Sequence, residues 1–239
     1  MTCNMTVSAQ IITAHLATYW VSASIFLALD LYWAKHGITK YKIMEGKRHI
    51  PSMVKIRNAI VLTLLNQALS IPIIGILAPY GVSTHNPSYL EYVLVFAFYA
   101  MCADQWFYWS HRILHIPVLY RNIHYVHHKW TYPIALRAVY AHPVEHIVGN
   151  LGSLAVGTLL YPMPLRFVVV WTCVATLNAI LAHCGTKVPG VDVGSHDLHH
   201  RVLSCNFGSS ILSDQMYGTH RGPINRGVRL PYPRSPTRL

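Results

Sequence analysis

Charge is what this sequence has least of: only 11% of its 239 residues are Asp, Glu, Lys or Arg, while 53% are hydrophobic. A soluble domain carries roughly 25% charged residues, so a chain this poor in them cannot clothe a single large core in a charged shell. The expected solvent is lipid. Acidic residues are scarcest, 8 against 19 Lys and Arg. That excess would point to nucleic acid if it covered a polar face, but the basic residues gather between and after apolar runs, as membrane-flanking charge does. No nucleic-acid partner is expected. The five cysteines (Cys3, Cys102, Cys173, Cys184, Cys205) include no C-x-x-C pair and are odd in number, which argues against a disulfide framework or a thiolate zinc site. Lys and Arg are also missing before the first apolar stretch, and no small-residue cleavage site follows it. A cleaved signal peptide is not expected, and the first span should remain.

What is present is apolar runs of membrane length. A transmembrane helix needs about 20 largely apolar residues, and residues 11–33, 59–80 and 90–109 each qualify. Residues 147–182 are long enough for two helices but are broken by Tyr161-Pro-Met-Pro-Leu165, which predicts a hairpin of two short helices. The fold class is therefore an all-α integral membrane protein with about three transmembrane helices plus a helical hairpin. Three regions are expected: residues 1–88 with the N-terminal helices and a basic loop, 89–221 with the histidine-rich segments, and 222–239 as an Arg/Pro-rich tail.

Sidedness follows from basic residues in short loops. Lys35, Lys40, Lys42, Lys47, Arg48, Lys55 and Arg57 crowd residues 34–58 against Glu45 alone, whereas residues 81–89 hold no Lys or Arg. The first of these loops should face the cytosol. Counting crossings from there, the third span and the hairpin both return the chain to the cytosolic side, so the histidine-rich segments 111–146 and 196–200 emerge together. The stretch after His220, with five Arg, four Pro and no acid, is expected on the same side.

Histidine is abundant, at 16 residues, and it is the commonest metal ligand. Three clusters have helical ligand spacing: His111-Arg-Ile-Leu-His115, His124-Tyr-Val-His127-His128 and His196-Asp-Leu-His199-His200. Positions i, i+3 and i+4 share a helix face, so each cluster can aim two or three imidazoles at one point. Eight convergent imidazoles suit two metals in one cavity better than one. An all-nitrogen set with open positions suits iron, with zinc, copper and nickel left open by imidazole alone. His15, His36, His49, His85 and His220 read as ordinary core or interface residues. Asp104 falls seven and eleven residues before His111 and His115, on their helical face at the end of a span. An ionisable group at that depth is a functional candidate, here an acceptor for a ligand imidazole N–H, with a capping carboxylate as the alternative.

The ordered set of these clusters with Ala141-His142-Pro143-x-Glu145, His183-Cys-Gly, Asn206-Phe207-Gly208 and Asp214-x-x-Tyr-Gly-Thr219 resembles the fatty acid hydroxylase superfamily of membrane di-iron oxygenases, over roughly residues 89–221. Tyr140-Ala-His-Pro-Val-Glu145 and the His-Asp-Leu-His-His box are most similar to sterol 4-methyl oxidases and cholesterol 25-hydroxylases; His128-Lys129-Trp130 and His142-Pro143-Val144 also resemble sterol 5-desaturases. Ser213 departs from the pattern, where relatives often have Trp. The resemblance implies oxidation of a C–H bond of a sterol-like lipid by O₂ at two Fe ions, with electrons from NAD(P)H through a separate cytochrome b5 or reductase, on the cytosolic face of the endoplasmic reticulum membrane. It further implies ligation by the eight box histidines and His183, with His142, Glu145, Asp104 and Asp197 around them. A structural turn is an equal alternative for His142, and His146 reads as a polar residue at a helix start. The rival readings are an acyl desaturase and a membrane metal-binding or transport protein.

Overall fold

In a computed structural model of the chain, residues 2–43, 51–130 and 132–222 are described. Helix α1 (Thr2–His36) leads to α2 (Met53–Leu77), which starts where Ser52 Oγ accepts the Lys55 N–H, a side-chain cap on an otherwise orphaned donor. Strand β1 (Val82–Ser83) and α3 (Tyr89–Leu114) follow, the helix capped by Ser88 Oγ on the Glu91 N–H at 3.2 Å. Short helices α4 (Pro117–Leu119) and α5 (Tyr125–His128) flank a π-helical turn, Tyr120–His124. A 3₁₀ turn at Ala135–Val139 precedes α6 (Pro143–Glu145), a second π segment at His146–Leu151 and α7 (Gly152–Leu160). Then come β2 (Met163–Pro164), α8 (Leu165–His183), α9 (Gly194–Val202) and α10 (Ile211–Met216).

The expected hairpin is present: residues 143–160 run out, the chain turns at residues 161–164, and α8 returns. Helices α1, α2 and α8 are long and apolar enough to cross a membrane. The third such helix is thus the second arm of the hairpin and not the 90–109 stretch of the sequence reading. The cause lies in α3, whose second half carries Asp104, Gln105, His111 and Arg112 and turns Asp104 and His111 inward.

Aromatic packing fastens α3 to the hairpin. Tyr99, fully buried, lies edge-on to Phe167 and Trp171 at centroid distances of 5.5 and 5.4 Å, and its hydroxyl donates to the Tyr161 carbonyl at 2.6 Å. Ile11, Ile74, Val95, Leu151 and Val168 complete this core between α1, α2, α3, α7 and α8. At one end of the bundle β1 pairs in parallel with β2, Val82 with Met163, tying the loop before α3 to the hairpin turn. At the other end Lys42 Nζ reaches Asp30 at 2.5 Å and the Cys184 carbonyl at 3.1 Å. Gly185, at φ +64°, lets the chain pass Pro133, whose Cγ would lie 2.7 Å from a Cβ. All four histidine-bearing segments lie at this second end, because α3 and α8 both terminate there. Residues 44–50, with Glu45, Lys47, Arg48 and His49, and the tail from residue 223 fall outside the described residues.

At Gly157 α7 passes close to the backbone of α3: a Cβ there would stand 2.9 Å from Tyr99 Cδ1 and 3.0 Å from its Cα. Backbone cannot give way as a side-chain tip can, so Gly157→Val is expected to cost about 1–3 kcal/mol of stability. A melting curve in detergent checks this, and an unchanged midpoint would contradict the packing described.

Candidate metal centre

Four short helical pieces carry the histidines. The last turn of α3 supplies His111 and His115, the π turn and α5 supply His124, His127 and His128, the end of α8 supplies His183, and α9 supplies His196, His199 and His200. A π turn inside helical structure is a frequent companion of functional sites; here it bears His124.

The nine rings form two groups, His111, His115, His124, His128 and His199 in one and His127, His183, His196 and His200 in the other. In the first, Nε2 of His124 stands 3.0, 3.1 and 2.9 Å from those of His111, His115 and His128, and His115 Nε2 is 3.1 Å from His199 Nε2. In the second, His196 Nε2 is 2.9 Å from His183 Nε2 and 3.0 Å from His200 Nε2, and His183 Nε2 is 3.3 Å from His127 Nε2. Each cluster does bring two imidazoles to one point, His111 with His115, His124 with His128 and His196 with His200, while the middle histidine of each H-x-x-H-H segment departs from its own pair. Within each H-x-x-H-H segment, positions i and i+4 go to one group and i+3 to the other. On a helix the i+3 and i+4 side chains diverge by about 100°, so neighbouring imidazoles cannot meet one ion. The two segments divide in opposite senses, each lending its middle histidine to the other's group.

The donor set fits a metal ion. An ion about 2.1 Å from each of two ring nitrogens at right angles sets them about 3.0 Å apart, which is the spacing found. The other ring nitrogen is fixed by a backbone carbonyl in four of the nine rings. Nδ1 of His111, His127, His183 and His199 donates to the carbonyls of Phe207 (2.7 Å), Tyr140 (3.0 Å), Ala179 (2.7 Å) and Cys205 (2.8 Å). A carbonyl only accepts, so the proton is on Nδ1 and Nε2 carries a free lone pair toward the group centre. Leu203 and Asn206 adopt positive φ, 65° and 56°, which folds the segment after α9 back and aims the Cys205 and Phe207 carbonyls. Burial, and then the neighbouring histidines, push His124, His128, His196 and His199 well below the usual imidazole value. Burial brings His111 down to about 4 and His115 to about 3. Neutral imidazole is the ligating form.

The carboxylates fall out differently. Glu145 Oε1 lies 2.9 Å from His124 Nδ1, and burial holds the carboxyl well above its usual range. Asp197 is buried on α9 and meets Arg201 at 3.0 Å; burial raises it, against the opposing pull of Arg201 and Arg137. Asp104 does not accept from an imidazole. Oδ1 takes the Ser210 N–H at 2.7 Å and Oδ2 the Ser213 N–H at 2.8 Å, with both Ser209 and Ser213 hydroxyls added. It is the capping carboxylate of its alternative reading. Same-face spacing was misleading because seven residues also means about 10 Å of rise. His142 likewise serves the turn, its Nδ1 accepting the Val144 N–H at 3.2 Å.

Sequence reasoning passed over Arg137, 1% exposed, which donates to the Tyr132 carbonyl and whose charge bears on His127, His200 and Asp197. Lying in no recognised pattern, it had no signal. Asp214, quoted in a motif but given no role, receives the Phe207 and Gly208 N–H groups at 2.8 Å each and so steadies the carbonyl under His111. His85 bonds to Ser83 and Glu91 at the far end, and His15 to Thr176 within the bundle.

The sequence profile of the fatty acid hydroxylase family matches residues 96–219. The chain belongs to that family. Human fatty acid hydroxylase domain-containing protein 2 is 32% identical over 84% of this chain, which spans 63% of that relative's length. Methylsterol monooxygenase 2-2 of Arabidopsis thaliana is 32% identical over 87% of this chain and 83% of its own. Very-long-chain aldehyde decarbonylase GL1-11 of Oryza sativa subsp. japonica is 31% identical over 80% and 79%. No solved structure matches. Fatty acid hydroxylase and methylsterol monooxygenase are names of oxidoreductases.

Acid should dismantle the centre. An unfolded imidazole titrates near 6.5 while His111 holds its neutral form down to about 4, so between those values the unfolded chain binds more protons and stability rises with pH. Metal-free protein is therefore expected to lose stability as pH falls from about 6.5 toward 4. Denaturation midpoints at about pH 7.5 and about pH 5 test this; equal midpoints would contradict it.

Proposed function

We propose that this chain is a membrane oxidoreductase that uses O₂ to oxidise an unactivated C–H bond of a sterol-like lipid. The observation that carries the reading is the pair of all-imidazole groups, five and four rings, at the end of an apolar helical bundle. Two iron ions, one in each group, would be held by Nε2 of His111, His115, His124, His128 and His199, and of His127, His183, His196 and His200. Bound there, iron supplies the redox chemistry that no side-chain acid or base can perform on such a bond. The protein's own residues do the rest. Carbonyls behind the ring N–H groups of His111, His127, His183 and His199 hold their Nε2 atoms in place, Glu145 backs His124, and Asp197 and Arg137 balance charge beside the second group.

Residues 89–221 are read as the catalytic domain, 1–88 as the helices and basic loop that embed it, and 222–239 as a tail. The basic loop, the histidines and the tail face the cytosol of the endoplasmic reticulum, where a separate cytochrome b5 or reductase delivers electrons from NAD(P)H. A lipid reaches the histidines along the apolar helices without leaving the bilayer. The methylsterol monooxygenase and aldehyde decarbonylase names among the relatives favour a lipid substrate, and the sterol-like Tyr140–Glu145 segment favours a polycyclic one.

Expression in microsomes with candidate sterols and fatty alcohols, followed by mass spectrometry, tests the reading. A sterol product with one added oxygen, dependent on O₂, is expected; loss of two hydrogens alone would make the chain a desaturase, and turnover of straight acyl chains only would contradict the substrate class. His183→Ala should lose iron and turnover, since even residues behind a ligand are worth about 10- to 100-fold in affinity or activity. His85→Ala should keep both. A fully metallated, active His183→Ala protein would remove His183 from the site.

A further inference from the structure

Lys35, Lys40, Lys55 and Arg57 are exposed, as membrane-flanking charge should be, but Lys42 among them is buried. Its counter-charge is Asp30, an acid inside the apolar helix α1. A charged pair taken out of water is costly, and apolar residues of similar size often serve stability as well or better. An ionisable group within a span is a candidate for function. Such a pair points to a role beyond holding the fold together.

What the pair holds is the end of α8. The last carbonyls of a helix lack partners within it, and cations settle there. Lys42 Nζ, tied to Asp30 at 2.5 Å, donates to the carbonyl of Cys184, the residue after His183, at 3.1 Å. The backbone on either side joins in. Ile43 N–H donates to the Gly185 carbonyl at 3.0 Å, Lys187 N–H donates to the Tyr41 carbonyl at 2.7 Å, and Lys42 lies opposite Thr186 in an antiparallel bridge. Residues 41–43 thus form a strap across residues 184–187, and Ile43 packs against the apolar cluster that holds Ile180 and Cys184.

His183 is the one ligand candidate with no second histidine on its own helix. Its Nδ1 bond to the Ala179 carbonyl, 2.7 Å, lies within α8 and moves with the helix end, so contacts from outside α8 must fix where that end stands. The other helix after the strap has anchors of its own: on α9, Asn206 Nδ2 donates to the Ser195 carbonyl at 3.0 Å and His199 Nδ1 donates to the Cys205 carbonyl at 2.8 Å.

We propose that Asp30 and Lys42 are positioning residues for the second metal position: through the Cys184 carbonyl they hold His183 Nε2 beside His127 and His196. This rests on the reading of the histidines as two metal positions and goes beyond it, giving the basic loop a part in building one of them. The effect is confined to the four-ring group, because His183 belongs to that group and not to the other.

The test is metal binding, without iron or turnover. Metal-free protein in detergent is titrated with Co²⁺ in the absence of O₂, and the visible absorption of the metal reports each ion taken up. Wild type is expected to bind two per chain. Asp30→Leu with Lys42→Met, which removes both charges together, should bind one ion with wild-type affinity and the other about 10-fold less tightly or worse, the usual cost of losing a group behind a ligand. Lys42→Met alone, whose Asp30 can take up a proton, serves if the paired change does not fold. His183→Ala supplies the reference. In that background the paired change should leave the affinity of the remaining ion as it was, which a general loosening of the fold would not do. Two ions bound at wild-type affinity by both strap variants, or both ions weakened alike, would overturn the strap. Either result beside a wild type that holds two ions sinks the strap alone, whereas a wild type that takes up no Co²⁺ sinks the metal reading beneath it.

Discussion

Seven ring-nitrogen pairs, each within 3.3 Å and all but the two of His115 buried, are the constraint around which the rest of this protein is arranged. Between His127 and His183, whose Nδ1 protons are both held by carbonyls, two lone pairs face each other at 3.3 Å and repel, and burial disfavours the extra proton that would relieve it. A cation at each centre turns the repulsion into ligation. Without one, the fold must hold the rings against it, and the hydrogen bonds from Nδ1 to four backbone carbonyls, with Glu145 behind His124, are what do so.

Those carbonyls are themselves fixed from a distance. Asp104 on α3 and Asp214 on α10 bind the backbone of residues 207–213 between them, so the Phe207 carbonyl under His111 is anchored twice. The apolar bundle sets the larger frame. Tyr99 locks α3 to the hairpin, the short β1–β2 ladder closes one end, and Lys42 with Asp30 and Cys184 closes the other. The histidine-bearing ends of α3 and α8 are thereby brought side by side from residues 72 positions apart, His111 and His183.

Much of this was legible in the sequence because the relevant signals are periodic. Apolar length marked the first two spans, the Tyr161-Pro-Met-Pro break marked the hairpin, and helical spacing of histidines marked the residues that the structure gathers. What the pattern could not convey was direction. Helical spacing says which residues share a face but not how far apart along the axis they act, which is why Asp104 reads as a ligand's neighbour and is a cap two turns away. The division of each H-x-x-H-H between two groups depends on a second copy of the motif approaching from the opposite side. Arg137 and the carbonyl acceptors have no sequence signature at all, since backbone oxygens belong to every residue.

The central claim is that the H-x-x-H-H segments exchange their middle histidines and so build two separate metal positions. Anomalous scattering from crystals of the iron-loaded protein tests it most directly. Two peaks are expected, one among His111, His115, His124, His128 and His199 and the other among His127, His183, His196 and His200. A single peak ringed by one intact H-x-x-H-H segment, or none in protein shown to oxidise lipid, would contradict it.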